Sequence, residues 1–331
     1  MPDPRLDVLC VGNAIVDVIA DATDGFLDAE GLVKGSMRLV DAEEAERLYS
    51  HMGQVRQVSG GSAGNTAAGI AALGGRAGFV GQVAPDQLGD FYIHDLRSAG
   101  VEFTTAPADV GVPTARSMIL VTPDGHRTMN TFLGAAQHLP TRALDEAQIR
   151  ESAIVYLEGY LWDPETPRYA MLRAIEVAHE AGRKVAFTLS DTFCVDRHRD
   201  GFNALLNDRR VDILFANQAE AEALAGVPHL ETAVEMLKGK VETLVVTRSE
   251  DGALATRGTD RADVPAEPVG DVVDTTGAGD LFAAGFLFGY ARGKSLETSL
   301  RLGAIAAAEV IQHYGARPEK NLRALAGDLI A

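Results

Sequence analysis

Short apolar runs alternate with longer stretches of helical periodicity from about residue 58 onward. Residues 79–83 read as a strand, and 87–99 as a helix stopped by Gly100. Residues 154–157 read as a buried strand, and 167–181 as an amphipathic helix stopped by Gly182. Further β-rich runs fall at 184–189, 211–216 and 244–247. This strand–helix alternation predicts an α/β chain: a mainly parallel sheet covered by helices on both faces, three layers in all.

Two regions break the alternation. One is 6–20 followed by 35–40. In the other, 113–133, runs at 116–121 and 127–132 flank Thr122-Pro123-Asp124-Gly125. That turn chemistry predicts a hairpin. The hairpin and the early strands predict a small β-sheet, built from about 13–40 and 110–133. It would be a lid over a ligand cleft, with the α/β core formed by the remainder of a single domain spanning 1–331.

Composition narrows the partners. Hydrophobic residues make up 46% of the chain, enough for a large core, and Asp and Glu outnumber Lys and Arg to give a formal charge of −17. A field of that sign repels nucleic-acid backbones, and a phosphate-bearing ligand would need a local, backbone-built site. The two cysteines, Cys10 and Cys194, lie far apart and in no metal-ligand spacing, which favours a reduced, cytoplasmic setting. Residues 1–5 lack a signal-peptide pattern. The longest strongly apolar run, 281–291, is too short to span a bilayer, so no membrane association is expected. Whether the chain is a monomer or a homodimer is left open.

The sharpest chemistry lies at 271–285. Gly277, Ala278 and Gly279 leave the backbone uncovered just where a helical pattern begins at Asp280. Such a loop aims unpaired N–H groups and the positive end of a helix dipole at one point, which suits an anion or the charge on a transferring phosphoryl group. Asp280 at the mouth is a candidate general base for an attacking hydroxyl. No Gly-Lys-Ser/Thr follows, so this is not a Walker A loop. Aspartate is common at helix starts, so this stretch alone does not decide the matter.

A second stretch has the same character. Ser59-Gly60-Gly61-Ser62-Ala63-Gly64-Asn65-Thr66 opens a helix that ends at Gly74-Gly75. Paired glycines let a ligand approach the main chain, and Asn65 offers both a donor and an acceptor to vicinal hydroxyls. Asp17, ending the run that follows Gly12-Asn13-Ala14, is an acceptor for two more hydroxyl hydrogens.

Together these residues resemble the ribokinase-like (PfkB) family of carbohydrate and nucleoside kinases. Residues 60–66 match its N-terminal signature, 274–280 its C-terminal one, and Asn217-Gln218-Ala219-Glu220 its Asn-x-x-Glu element. The resemblance covers the whole chain and implies ATP and Mg²⁺. It implies Asp280 as base, with the N–H groups of Gly277, Ala278 and Gly279 as an anion hole. Asp17, Gly60, Gly61 and Asn65 would hold substrate hydroxyls. Asn217 and Glu220 would organise Mg²⁺ through water, and Thr247, Arg248, Gly252 and Thr275 would lie at the nucleotide. Thr247-Arg248-Ser249 stands where the family more often has Thr-x-Gly.

Within the family the chain resembles the adenosine-kinase branch through 12–17, 32–39 and 124–135. That implies phosphorylation of a ribose hydroxyl, adenosine to AMP. The alternative is a small free sugar of the ribose, fructose or 2-keto-3-deoxygluconate kind. A nucleoside needs an apolar wall beside its ribose site. Met37, Leu133, Tyr160 and Phe193 are candidates for it, and Arg127 at the hairpin is placed to reach phosphate. A substrate sensor without turnover would have no need of Asp280.

Overall fold

The structure, a computed structural model, describes residues 3–330. Its strands are Leu6–Val11 (β1), Ile15–Asp21 (β2), Met37–Leu39 (β3), Arg56–Ser59 (β4), Ala77–Val80 (β5), Glu102–Phe103 (β6) and Ala115–Val121 (β7). They continue with Arg127–Phe132 (β8), Ser152–Glu158 (β9), Lys184–Thr188 (β10), Ile213–Asn217 (β11), Thr243–Thr247 (β12), Ala253–Arg257 (β13) and Asp260–Val264 (β14).

Nine strands form one sheet in the order β14-β13-β12-β11-β10-β9-β1-β5-β6. It is parallel from β12 to β6, and at the other edge β13 is antiparallel to both β12 and β14. Side chains alternate between two cores. Val8 and Cys10 of β1 enter one, Leu9 and Val11 the other. Helices Ser62–Ala72, Gln87–Ser98, Ala278–Ala291 and Leu296–Val310 supply the first core. Helices Glu165–Glu180, Thr192–Asn207, Gln218–Ala225 and Leu230–Lys238 supply the second. The result is a three-layer α/β/α fold.

The remaining strands form a separate five-stranded sheet, β3-β8-β7-β2-β4. Residues 6–20 are therefore not one unit: β1 joins the large sheet and β2 the small one, parting at Gly12-Asn13-Ala14. The small sheet also takes in β4. The hairpin forms as its turn residues require, with Thr122 N–H donating to His126 O at 3.0 Å and Gly125 at φ +82°. One face of this sheet is covered by helices Asp24–Ala29 and Ala42–His51 through Ala20, Leu27, Leu48, Met118 and Phe132. The period of two places Asp17, Ile19, Ile119, Val121, Arg127 and Met129 on the other face.

Candidate active site

The C-terminal ends of parallel strands are where an open α/β sheet offers a crevice. Here Gly12 follows β1, Glu158 ends β9, and Asn217 and Thr247 lie side by side at the ends of β11 and β12. The site is built across this edge from four segments.

The Ser62–Ala72 and Ala278–Ala291 helices pack closely because Gly69 carries no side chain. A Cβ there would stand 2.6 Å from Leu281 and 2.7 Å from Ala284. That packing brings the two glycine-bearing stretches together. Asp280 Oδ1 accepts from Ser62 Oγ at 2.6 Å, and Oδ2 accepts from Asn65 Nδ2 at 2.9 Å. Burial raises the Asp280 pKa above the usual carboxylate value, while those two hydrogen bonds and the nearby Arg317 charge pull it back. Asn65 Oδ1 is buried and has no partner.

Gly60 and Gly61 sit between this pair and the small sheet. A Cβ on Gly60 would lie 2.3 Å from the Asp17 carboxylate, so main chain and carboxylate are in contact. Gly61 has φ +81°, and a Cβ there would meet Asn13 O at 2.1 Å. Among the described residues nothing donates a hydrogen bond to the Asp17 carboxylate. Burial pushes its pKa up to about 7, against the pull of Arg317 and Arg127.

Gly277 adopts a left-handed conformation, φ +80°, and a Cβ on it would stand 2.5 Å from that of Ala316. The helix that follows has unfilled N–H groups in its first turn. Ala278 is a correction to the expected anion hole: its N–H donates to Thr275 O at 3.2 Å, because the loop closes there as a tight turn. The N–H groups of Gly277, Gly279 and Asp280 make no backbone hydrogen bond among the described residues. A Cβ on Gly279 would touch nothing within 4 Å, so this edge faces open space, and Thr275 beside it is exposed.

Arg127 reaches across from β8. It forms an ion pair with Asp274 Oδ2 at 2.7 Å, donates from Nη1 to Thr276 Oγ1 at 3.2 Å, and lies 5.5 Å over the Tyr314 ring. Nη2 is engaged by that ion pair, while the buried Nε has no hydrogen-bond partner among the described residues. Asp274 Oδ1 also accepts from Thr276 N and Oδ2 from Gly315 N, which fixes the loop before Gly277.

Asn217 and Glu220 make a reciprocal helix cap. Asn217 N donates to Glu220 Oε2 at 2.9 Å, Nδ2 to Oε1 at 2.7 Å, and Glu220 N returns to Asn217 Oδ1 at 2.9 Å. Burial pushes Glu220 up to about 7. Arg248 pairs with Asp263 at 3.4 Å. Gly252, at φ +80°, is held where a Cβ would stand 2.1 Å from Val264 O, which explains the glycine by strand packing.

The expected apolar wall is placed differently. Met37 and Phe193 are 52% and 72% exposed. Tyr160 turns its hydroxyl to Ser190 O at 3.4 Å and packs against the second core, and Leu133 is half-buried beside the hairpin. Instead Ile19, Ile119 and Val121 cluster with Met129 on the same face as Asp17. Their alternation with Val18, Met118 and Leu120 was the available signal.

Sequence reading also passed over two groups. Glu158, 1% exposed, accepts from Asn13 Nδ2 at 2.6 Å, Asn13 N at 3.3 Å and Ala63 N at 2.9 Å, joining two of the segments. Burial pushes it up to about 7. Arg317 donates to Ser59 and Gly64 just behind the paired glycines.

A glycine loop opening a helix, with a buried carboxylate in its first turn facing a second glycine-bearing stretch, suits a phosphotransferase with an alcohol group as acceptor. The comparisons agree: the model of the pfkB family carbohydrate kinases matches residues 6–322, and the chain belongs to that family, whose phosphate donor is ATP. The crystal structure of adenosine kinase from Sinorhizobium meliloti is 50% identical, with a TM-score of 0.90, covering 97% of this chain and 98% of that one. A probable sugar kinase from Rhizobium etli is 49% identical, with a TM-score of 0.91 and 98% of each chain covered. Adenosine kinase of Saccharomyces cerevisiae is 28% identical over 93% of this chain and 95% of its own length. Among the described residues no helix is long and apolar enough to cross a membrane.

Proposed function

We propose that this kinase transfers the γ-phosphoryl group of ATP to the primary hydroxyl of a ribose-bearing nucleoside, adenosine to AMP. The observation that carries the reading is the two-sided character of the small sheet's inner face. The Asp17 carboxylate there, which accepts no hydrogen bond from the described residues, borders the apolar group Ile19, Ile119, Val121 and Met129. Polar groups for a ribose beside an apolar surface for a base suit a nucleoside better than a free sugar. The 50% identity to an adenosine kinase supports it.

In this reading Asp17, Gly60, Gly61 and Asn65 hold the ribose, and the unpartnered Asn65 Oδ1 accepts one of its hydroxyl hydrogens. Asp280 takes the proton of the attacking hydroxyl. That oxygen bonds to the γ-phosphorus, the bond from phosphorus to the bridging oxygen breaks, and ADP leaves. The N–H groups of Gly277, Gly279 and Asp280 face the charge that develops, with the Arg127 guanidinium held beside the same loop by Asp274 and Thr276. Thr247, Arg248, Gly252 and Thr275 lie along the nucleotide side, and the small sheet acts as the lid that excludes water.

A hydrated Mg²⁺ fits the donor set at Asn217 and Glu220. That ion keeps most of its waters and takes few protein carboxylates beside the nucleotide phosphates. Glu220, already committed to its cap, would hold it through water, and the ion would neutralise phosphate charge.

The test is ADP release from Mg·ATP over adenosine, inosine, ribose, fructose and 2-keto-3-deoxygluconate. Efficient turnover with adenosine alone is expected. Turnover with a free sugar and none with adenosine would overturn the nucleoside assignment and favour the reading suggested by the Rhizobium etli neighbour's name.

A further inference from the structure

The segment 314–317 touches the hairpin arginine, the loop before Asp280 and the stretch that holds the paired glycines. Tyr314 lies under the Arg127 guanidinium. Gly315 N donates to Asp274 Oδ2 at 2.9 Å. Ala316 packs where a Gly277 side chain would be. Arg317 donates from Nε and Nη2 to Ser59 O at 3.0 and 2.7 Å, from Nη2 to Ser59 Oγ at 2.8 Å, and from Nη1 to Gly64 O at 2.8 Å.

These bonds go to the two ends of the Gly60-Gly61 turn. The same turn is held by Tyr92 Oη on Gly60 O at 3.2 Å and by Gly60 N on Ile15 O at 2.7 Å. Asp95 adds to the network by accepting from Ser59 N at 3.0 Å. A planar fork with five donors can span two carbonyls of one loop in a fixed geometry, which an ammonium cannot. The loop lacks side chains of its own to fix it, so its shape is set from behind.

We propose that Arg317 is a positioning residue for phosphoryl transfer: its guanidinium shapes the Gly60-Gly61 acceptor loop and provides the fixed positive charge that Asp17 and Asp280 share. Burial disfavours that charge, and the acidic groups Tyr92, Asp95, Asp17 and Asp280 around it oppose the loss. In return the charge favours the ionised forms of Asp17 and Asp280. The other ionisable groups facing Asp280 are Asp17, Glu158, Tyr156 and Tyr160, none of which brings a positive charge. The proposal rests on the kinase reaction but not on which acceptor is used.

The test is steady-state kinetics of the full chain with Mg·ATP and the acceptor identified by the panel, from about pH 5 to 9. In Arg317→Gln the acid limb of kcat/KM moves up by about one pH unit, as loss of a nearby opposite charge requires, and the acceptor KM rises about tenfold. Arg317→Lys keeps the charge and loses the fork, so its acid limb stays at the wild-type position while the acceptor KM still rises. An acid limb in the Gln variant that superposes on wild type overturns the proposal. So does a limb in the Lys variant displaced as far as in Gln. Should the Gln variant not fold, the Lys variant decides: an unchanged acceptor KM overturns the positioning role. If adenosine is inert and a sugar reacts, the nucleoside reading fails and the same measurement is made on the sugar.

Discussion

The Arg127 guanidinium and the Asp274 carboxylate stand 2.7 Å apart, one on the small sheet and the other on the loop that leads into the Ala278–Ala291 helix. Both side chains are nearly buried, at 9% and 3% exposure. The pair therefore adds a buried charge contact between the small sheet and the loop that leads to Gly277. Truncating one member of a buried pair leaves the other charge uncompensated. Arg127→Ala is expected to raise the KM for both ATP and acceptor and to lower kcat at least tenfold. Initial-rate kinetics with both substrates varied checks this; a change in only the acceptor KM would place Arg127 outside the phosphate site.

Asp280 accepts from Ser62 Oγ and Asn65 Nδ2 across the two glycine-bearing stretches, and the proposed reaction makes it the base. Asp280→Asn keeps the shape and removes the base, so turnover is expected to fall by about 10²–10⁴ with substrate binding little altered. Binding is read by calorimetry and turnover by ADP release. Turnover within a factor of about two of wild type would sink the base assignment.

Two neighbouring glycines are expected to fail in different ways. Gly277→Ala forces a side chain into a left-handed backbone against Ala316, so it should lower the melting temperature and abolish activity. Gly279→Ala adds a methyl where nothing lies within 4 Å, so the melting temperature should hold while activity drops, because the methyl occupies ligand space. Thermal unfolding and ADP release on both variants separate the cases. A Gly279→Ala enzyme of full activity would remove that edge from the anion site.

Stability should depend on pH in a direction set by buried carboxyls. Asp17 and Glu158 both titrate near 7 in the folded chain, well above the ordinary Asp and Glu values of 3.8 and 4.5. The folded state thus holds protons that the unfolded chain has already released. Stability contributed by those protons is present at low pH and is lost as pH rises through about 4 to 7. Unliganded protein is expected to melt at a lower temperature at pH 8 than at pH 6, and Asp17→Asn to flatten that slope. A slope unchanged in the variant would show that Asp17 carries no excess proton.

Much of this was legible because it rests on local chemistry. The Thr-Pro-Asp-Gly turn, the helix stops at Gly100 and Gly182, and the glycine loop before Asp280 each declare themselves within a few residues. What was missed depends on long-range packing. Glu158 is one such case: its carboxylate closes on Gly12, 146 positions earlier, where a Cβ would lie 2.3 Å from it. Strand β4, Arg56–Ser59, is short and polar at all but Val58, and β13 with β14 forms an antiparallel edge that strand–helix alternation does not anticipate. Arg317 sits in Tyr-Gly-Ala-Arg-Pro, a context that reads as an ordinary surface turn, and only the fold shows Ser59 and Gly64 behind it. The apolar wall failed for a related reason. Single residues were chosen, whereas the inner face is set by the register of β2, β7 and β8.

Because Arg317 and Ala316 come so late in the chain, the site has an order of assembly during synthesis. Asp17 and the Gly60-Gly61 turn leave the ribosome long before the residues that hold them from behind. Domains fold in large part as they emerge, so a nascent chain can complete most of the large sheet while its acceptor loop is still unsupported. The turn gains these contacts only once Arg317, about 300 positions after Asp17, has folded against it.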